Sequence, residues 1–238
     1  MRRLKFASFK KAFTLAEVLI TLGIIGVVAA MTIPTLITNI TKKQLESQIK
    51  VAYASIQQAM RASIADGLGF NMSVQDGNDS SMAEWFNTYM APYLKTEQVC
   101  INTAGCWHKK GIVKTLNGAA PTSDSNIGIG TNIITFVTAK GSYFNIDGFN
   151  ANDMKNMFGI NTNSAGLIFY FDANGDRKPN VIGKDIYIMA FTEDGLVPAG
   201  QGKTRKQVEQ NCLTGNGYWC LSKLISDSWE IDDRVWKR

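Results

Sequence analysis

From Phe13 to Ile40 the sequence reads FTLAEVLITLGIIGVVAAMTIPTLITNI, 28 residues interrupted by a single charge, Glu17. A helix needs about 20 apolar residues to cross a bilayer core, so this run is long enough to do so. Before it stand Arg2, Arg3, Lys5, Lys10 and Lys11, with no acid among them. The basic part stops at Ala12 and the apolar run begins at once. A secretory signal is built differently, with an apolar region of about 7–15 residues followed by a small-residue cut site. A carboxylate in an apolar span costs about 2.5–3.5 kcal/mol near a helix centre and less near the interface. Glu17 therefore needs a purpose.

The stretch KKAFTLAEVLITLGIIGVVAAMTIPTL resembles the prepilin N-terminal cleavage and methylation motif of type IV pilins and type II secretion pseudopilins. In that family a short basic leader ends in Gly. A dedicated membrane peptidase cuts after it and methylates the new N-terminal residue, usually Phe. The resemblance implies a cut between Ala12 and Phe13 with methylation of Phe13. It also implies an assembly role for Glu17, fifth from Phe13, and a helix kink at Pro34. Ala12 departs from the usual Gly; Ala is the next smallest side chain, so cutting is still expected. The partners implied are the prepilin peptidase, other pilin-like subunits, the pilus or secretion assembly machinery and the inner membrane.

The charge agrees with a removable leader. The formal net charge is +5 and the isoelectric point is about 9.0. Without the five leader cations, 20 basic residues face 20 acidic ones. The basic balance thus belongs to the N-terminal signal, and no nucleic-acid partner is expected. The four cysteines form local pairs, Cys100 with Cys106 (C-x5-C) and Cys212 with Cys220 (C-x7-C). Zinc sites favour tighter C-x2–4-C hooks. Two short disulfides in an exported domain fit the spacing better than a metal site or free thiols.

Past Lys42 the helical period continues through Leu45, Ile49, Ala52, Ile56, Ala59 and Met60, an amphipathic stripe. It should end near Asp66-Gly67, where glycine can take the left-handed stop conformation. Asp76–Ser80 reads as a polar loop, and Ser81–Glu84 as a capping box opening a short helix. Residues 95–130 look loop-like. The period then changes to that of strands at Asn132–Ala139, Ser142–Ile146, Gly166–Phe171 and Asp185–Phe191. A turn follows at Glu193-Asp194-Gly195, with helices near Lys203–Asn211 and Leu221–Ile225. The expected fold class is α+β, a long N-terminal hydrophobic helix packed on a meander-like antiparallel head. The resemblance implies the same. The expected divisions are a cleaved leader (1–12), the span or filament-core half of the helix (13–41), its amphipathic half (42–66) and the head (67–238).

The polar residues offer little catalytic machinery. His108 is the single histidine, in a loop beside Trp107. No G-x-S-x-G, P-loop or H-E-x-x-H pattern occurs. Asp172, Asn174 and Asp176, with Asp185 further on, have spacing that could converge on a hard cation such as calcium. Arg177 and Gly183 stand where an EF-hand needs its Gly and its Glu, so an Asx-rich turn is the simpler reading. Trp219, Trp229 and Trp236 could stack on sugars or pack in the core. The chain reads as a non-enzymatic filament or pseudopilus subunit, with no cofactor expected and calcium the one candidate. It would be a single-pass inner-membrane protein with an extracytoplasmic head. The alternative is a single-span anchored binding domain that never polymerises.

Overall fold

The computed structural model describes residues 13–68, 79–121, 133–192 and 195–238. The leader with Ala12, most of the Asp76–Ser80 loop, Asn132 and the Glu193-Asp194 part of the expected turn lie outside the described residues. Helix α1 runs Leu15–Ala65, 51 residues with Pro34 inside it. The chain divides into two compact units, Met1–Lys43 and Gln44–Arg238.

In the first unit the helix is apolar on all sides. Leu19, Ile24, Val28, Leu36 and Ile37 all face outward. Three of its hydroxyls bond within the helix: Thr21 donates to the Val18 carbonyl, Thr32 to Val28 and Thr38 to Pro34. This internal satisfaction is what a helix in hydrocarbon requires. It is the one described helix long and apolar enough to cross a membrane.

In the second unit the remainder of α1 turns its stripe of Leu45, Ile49, Ala52, Ile56, Ala59 and Met60 into a core. Glu46 is buried beside that stripe, where its Oε1 accepts the Ile231 backbone N–H at 2.9 Å. The helix stops as expected: Gly67 has φ +78° and donates to the Ile64 carbonyl. Helix α2, Asp79–Tyr89, begins two residues before the expected Ser81 cap. Trp85 and Phe86 from α2 enter the same core.

Among the described residues the head carries an eight-stranded sheet in the order β1-β3-β4-β5-β7-β6-β2, with β8 also on β7. Its strands are β1 Thr96–Ile101, β2 Lys114–Thr115, β3 Ile134–Thr138 and β4 Tyr143–Phe149. They continue as β5 Gly166–Asp172, β6 Val181–Ile182, β7 Ile186–Thr192 and β8 Gly195–Pro198. The four expected strands are present, with no edge shifted by more than three residues. Two expectations change. Residues 95–130 are not all loop, because β1 pairs with β3 as an antiparallel edge. The sheet is also mixed, because β6 runs parallel to both β2 and β7.

The central strands β5 and β7 are buried at every position. This explains why GLIFYF and IYIMAF read as unbroken apolar runs instead of alternating ones. One face carries Phe136, Phe144 and Phe171 in cross-strand register, stacked at ring-centroid distances of 4.9 and 5.7 Å. That face meets α1 and α2. It also meets three C-terminal helices, α4 Arg205–Leu213, α5 Cys220–Ser226 and α6 Asp233–Trp236. The other face carries Ile168, Tyr170 and Ile188 against Trp107, Phe158 and Met154 of α3, Ala151–Asn156. The fold is α+β and pilin-like, a long apolar helix continuing into a helix-and-sheet head. The tail tryptophans are packing residues. Trp219 Nε1 donates to the Met157 carbonyl at 3.0 Å, Trp229 meets Tyr53 edge-on at 5.4 Å, and Trp236 is half-buried against the core.

Candidate functional site

Two groups of residues stand out, one in each unit. The first is the start of α1. Thr14 precedes the first helical residue and its Oγ1 accepts the Glu17 N–H at 3.2 Å. Glu17 Oε2 in return accepts the Thr14 N–H at 2.8 Å and the Thr14 hydroxyl at 2.9 Å. This is a reciprocal capping box, and it places a carboxylate at the positive end of the helix dipole. The T-L-A-E spacing of residues 14–17 carries the [ST]-x-x-[DE] signature. It passes unnoticed beside an apolar run, because the spacing is usually sought in soluble helices. Phe13, just before it, is 86% exposed. A carboxylate has about four lone-pair sites, so the cap leaves Glu17 able to accept another donor.

The second group lies in the head, where β5 ends and β7 begins. The Asp172 and Asp185 side chains are both fully buried. Asp172 Oδ2 pairs with His108 Nε2 at 2.9 Å, and its Oδ1 accepts the Asn174 N–H at 3.0 Å. Asp185 accepts the Asn180 N–H at 2.8 Å and the Val181 N–H at 2.7 Å, one on each oxygen. Asp176 is 80% exposed at its side chain and reaches only to 3.8 Å from His108 Nδ1. His108 comes from 64 residues away, just past the loop closed by the Cys100–Cys106 disulfide. No spacing in the sequence connects it to Asp172. The other disulfide joins Cys212 to Cys220 across the end of α4 and the start of α5. The Cα–Cα distances of the two bridges are 5.8 and 5.4 Å.

Calcium takes six to eight oxygen ligands. Of the residues the spacing offered, Asp172 and Asp185 each take N–H donors, the Asp176 side chain is exposed, and the Asn174 side-chain oxygen is buried without a partner. Among the described residues, no three or more His, Cys, Asp or Glu side chains gather as a metal site would need. The arrangement is instead a polar staple in which an imidazole and backbone amides meet the buried acids.

The electrostatics have a measurable consequence. Burial, reinforced by the charge of Asp172, pushes the Asp185 carboxyl up to about 7. Burial also raises Asp172, against the lowering effect of His108. A folded-state value above the unfolded one means that the folded chain binds more protons between about pH 4 and 7. Stability from this group is therefore highest in mild acid and falls as pH rises through that window, by at most about 1.4 kcal/mol per pH unit. Asp232, held well below the usual carboxylate range chiefly by the Arg234 side chain, acts only in stronger acid. Thermal unfolding of the chain should give a lower Tm at pH 7.5 than at pH 5.5, and Asp185→Asn should flatten that difference. An unchanged slope in the variant would assign the effect elsewhere.

Residues 8–33 match the family described as the prokaryotic N-terminal methylation motif. The chain thus carries the N-terminal signature of the type IV pilin and pseudopilin-like family, and its long apolar helix α1 fits membrane anchoring. The match covers the processing segment and leaves the head unassigned. No curated protein and no solved structure matches the chain.

Proposed function

We propose that this chain is a non-enzymatic structural subunit of a type IV pilus-like filament or a type II secretion pseudopilus. The observation that carries the reading is the methylation motif at residues 8–33, set at the start of a helix whose apolar side chains in the first unit are exposed. Such a surface has two natural environments, lipid before assembly and neighbouring helices after it. The prepilin peptidase cuts between Ala12 and Phe13 and Phe13 is methylated. The basic leader lies on the cytoplasmic side, following the positive-inside rule, so the head is extracytoplasmic. The oxidising side suits both disulfides. Pro34 lacks the N–H that would bond the Ala30 carbonyl, which lets the helix bend within the bundle. Other pilin-like subunits and the assembly machinery are the partners, and no cofactor enters this reading.

Intact-mass analysis of chain extracted from native membranes tests it. The expected species begins at Phe13 with one added methyl group, and it should also appear in sheared or crosslinked filament fractions. A mature chain that keeps residues 1–12, or one cut after Ala30, would overturn the reading. Retention would favour a plain membrane-anchored domain.

A further inference from the structure

The sequence contains three Asn-Gly pairs, which begin at Asn117, Asn174 and Asn216. In such a pair the glycine backbone nitrogen can add to the asparagine side-chain carbon and close a five-membered ring, because the second residue has no Cβ to stand in the way. The fold treats the three pairs differently. Asn117 and Gly118 are both exposed, in the turn that follows β2. Gly118 has φ +82°, and nothing lies within 4 Å of where its Cβ would be. Gly175 and Gly217 are buried. Their would-be Cβ atoms lie 2.6 Å from the Gly141 carbonyl oxygen and 2.5 Å from the Ile182 carbonyl oxygen. Neither can shift toward its asparagine side chain without displacing packed backbone.

The Asn117 side chain is also activated. Its Oδ1 accepts the Ala119 N–H at 3.2 Å. It also accepts the Thr115 hydroxyl at 2.6 Å, the shorter of that hydroxyl's two contacts. When a nitrogen adds to Cγ, negative charge develops on this same oxygen, and donors already aimed at it stabilise that charge as an oxyanion hole does. Asn174 Oδ1 is buried with no partner, so no donor there meets the charge. Asn216 Oδ1 accepts Asn211 Nδ2 at 2.8 Å and the Tyr218 N–H at 3.1 Å, but Gly217 beside it is crowded. Of the three pairs, Asn117-Gly118 alone combines a free glycine, a polarised carbonyl and open access for water. One bond holds the attacking nitrogen back, from the Gly118 N–H to the Thr115 carbonyl at 2.8 Å, and the exposed turn has room to open it.

We infer that Asn117 is a modification site, deamidated without an enzyme through a succinimide formed with Gly118. The Gly118 nitrogen forms a bond to Asn117 Cγ, the Cγ–Nδ2 bond breaks, and the Gly118 proton leaves with that nitrogen as ammonia. A solvent water then opens the ring at one of its two carbonyls, leaving aspartate or isoaspartate at position 117. No oxidant or reductant takes part. Either product puts a carboxylate on an exposed turn. Outside the leader, where 20 basic residues face 20 acidic ones, the balance tips by one negative charge, so an aged chain differs in charge from a new one. The inference goes beyond the subunit role and does not depend on it, since leader processing involves neither residue.

Peptide mapping by mass spectrometry tests the inference on the full chain in detergent, sampled over weeks in mildly alkaline buffer. Enzymatic methylation of isoaspartate identifies the second product. In the folded chain Asn117 should convert at least about tenfold faster than Asn174 or Asn216. In chain unfolded by denaturant with its disulfides reduced, the three rates should converge to within about threefold, because the fold no longer separates them. Thr115→Val, which removes the hydroxyl donor, should slow Asn117 by about fivefold or more in the folded chain and leave its rate unchanged in the unfolded one. Thermal unfolding shows that this variant is folded under the conditions of the assay. Conversion of Asn117 no faster than the other two in the folded chain, fastest conversion at Asn174 or Asn216, the same preference for Asn117 in the unfolded chain, or undiminished conversion in folded Thr115→Val would each overturn the inference.

Discussion

Replacing Glu17 by Gln should leave processing and membrane insertion intact and reduce entry into filaments by more than about a hundredfold. The physical argument separates two uses of one carboxylate. Within its own helix Glu17 caps the N-terminus through Thr14, and Gln serves a capping box as well as Glu. The cap therefore survives the substitution and the charge does not. The proposed cleavage before Phe13 would create a positive amine four residues from Glu17. In a bundle of apolar helices, that amine on one subunit can pair with Glu17 of its neighbour. Breaking a buried pair by removing one partner costs about 3–5 kcal/mol, which is the source of the expected loss. The same pairing would set axial register, because a one-turn slip would leave both charges unpaired in an apolar medium. Glu17→Ala should be at least as defective, since it loses the cap too, worth about 0.5–2 kcal/mol. Shearing or crosslinking assays read filament content, and mass analysis of the membrane pool reads processing. Parental filament levels in Glu17→Gln would reduce Glu17 to a capping residue. Failure of Glu17→Gln to be cut would move its role to peptidase recognition.

The second large effect is expected at Gly175, in the turn that carries the polar staple. Gly175 has φ +65°, and a Cβ built there would lie 2.6 Å from the Gly141 carbonyl oxygen and 3.3 Å from Tyr143 Cε1. The closest obstacle is backbone, so a side-chain swing cannot relieve it. Gly175→Ala combines a left-handed backbone that a side chain disfavours with a contact that must push two turns apart. Together these should cost about 2–5 kcal/mol. The Tm of the chain should fall by several degrees or more. Gly111 is the matched control. It too has positive φ, +82°, but nothing lies within 4 Å of its would-be Cβ, so Gly111→Ala should show the backbone cost alone. Equal losses at the two glycines would remove close approach as the cause.

Legibility in the sequence followed the range of the interactions. The Leu45–Met60 stripe is the buried face of α1 because helical period is a local property. The strands β5 and β7 were readable as continuous apolar runs and proved to be buried on both faces. The edge strand β1 was not, because TEQVCI is largely exposed and forms a strand only by pairing with β3. The parallel β2 and β6, two residues each, are too short for any periodic signal. The buried Glu46 looked like any other polar residue of α1, since its partner is the Ile231 N–H, 185 residues away.

The sequence by itself determined the processing segment, the apolar helix and the local cysteine pairs as candidates. Each is written in neighbouring residues: a charge boundary at Ala12, an apolar run from Phe13, a short C-x-n-C spacing. The aspartates at 172 and 185 were also visible, but their spacing suggested a cation. Only the tertiary structure decided what meets them, by bringing His108 across 64 residues onto Asp172 and two backbone amides onto Asp185. Long-range pairings of this kind are set by sheet register and burial, which no short window of residues encodes.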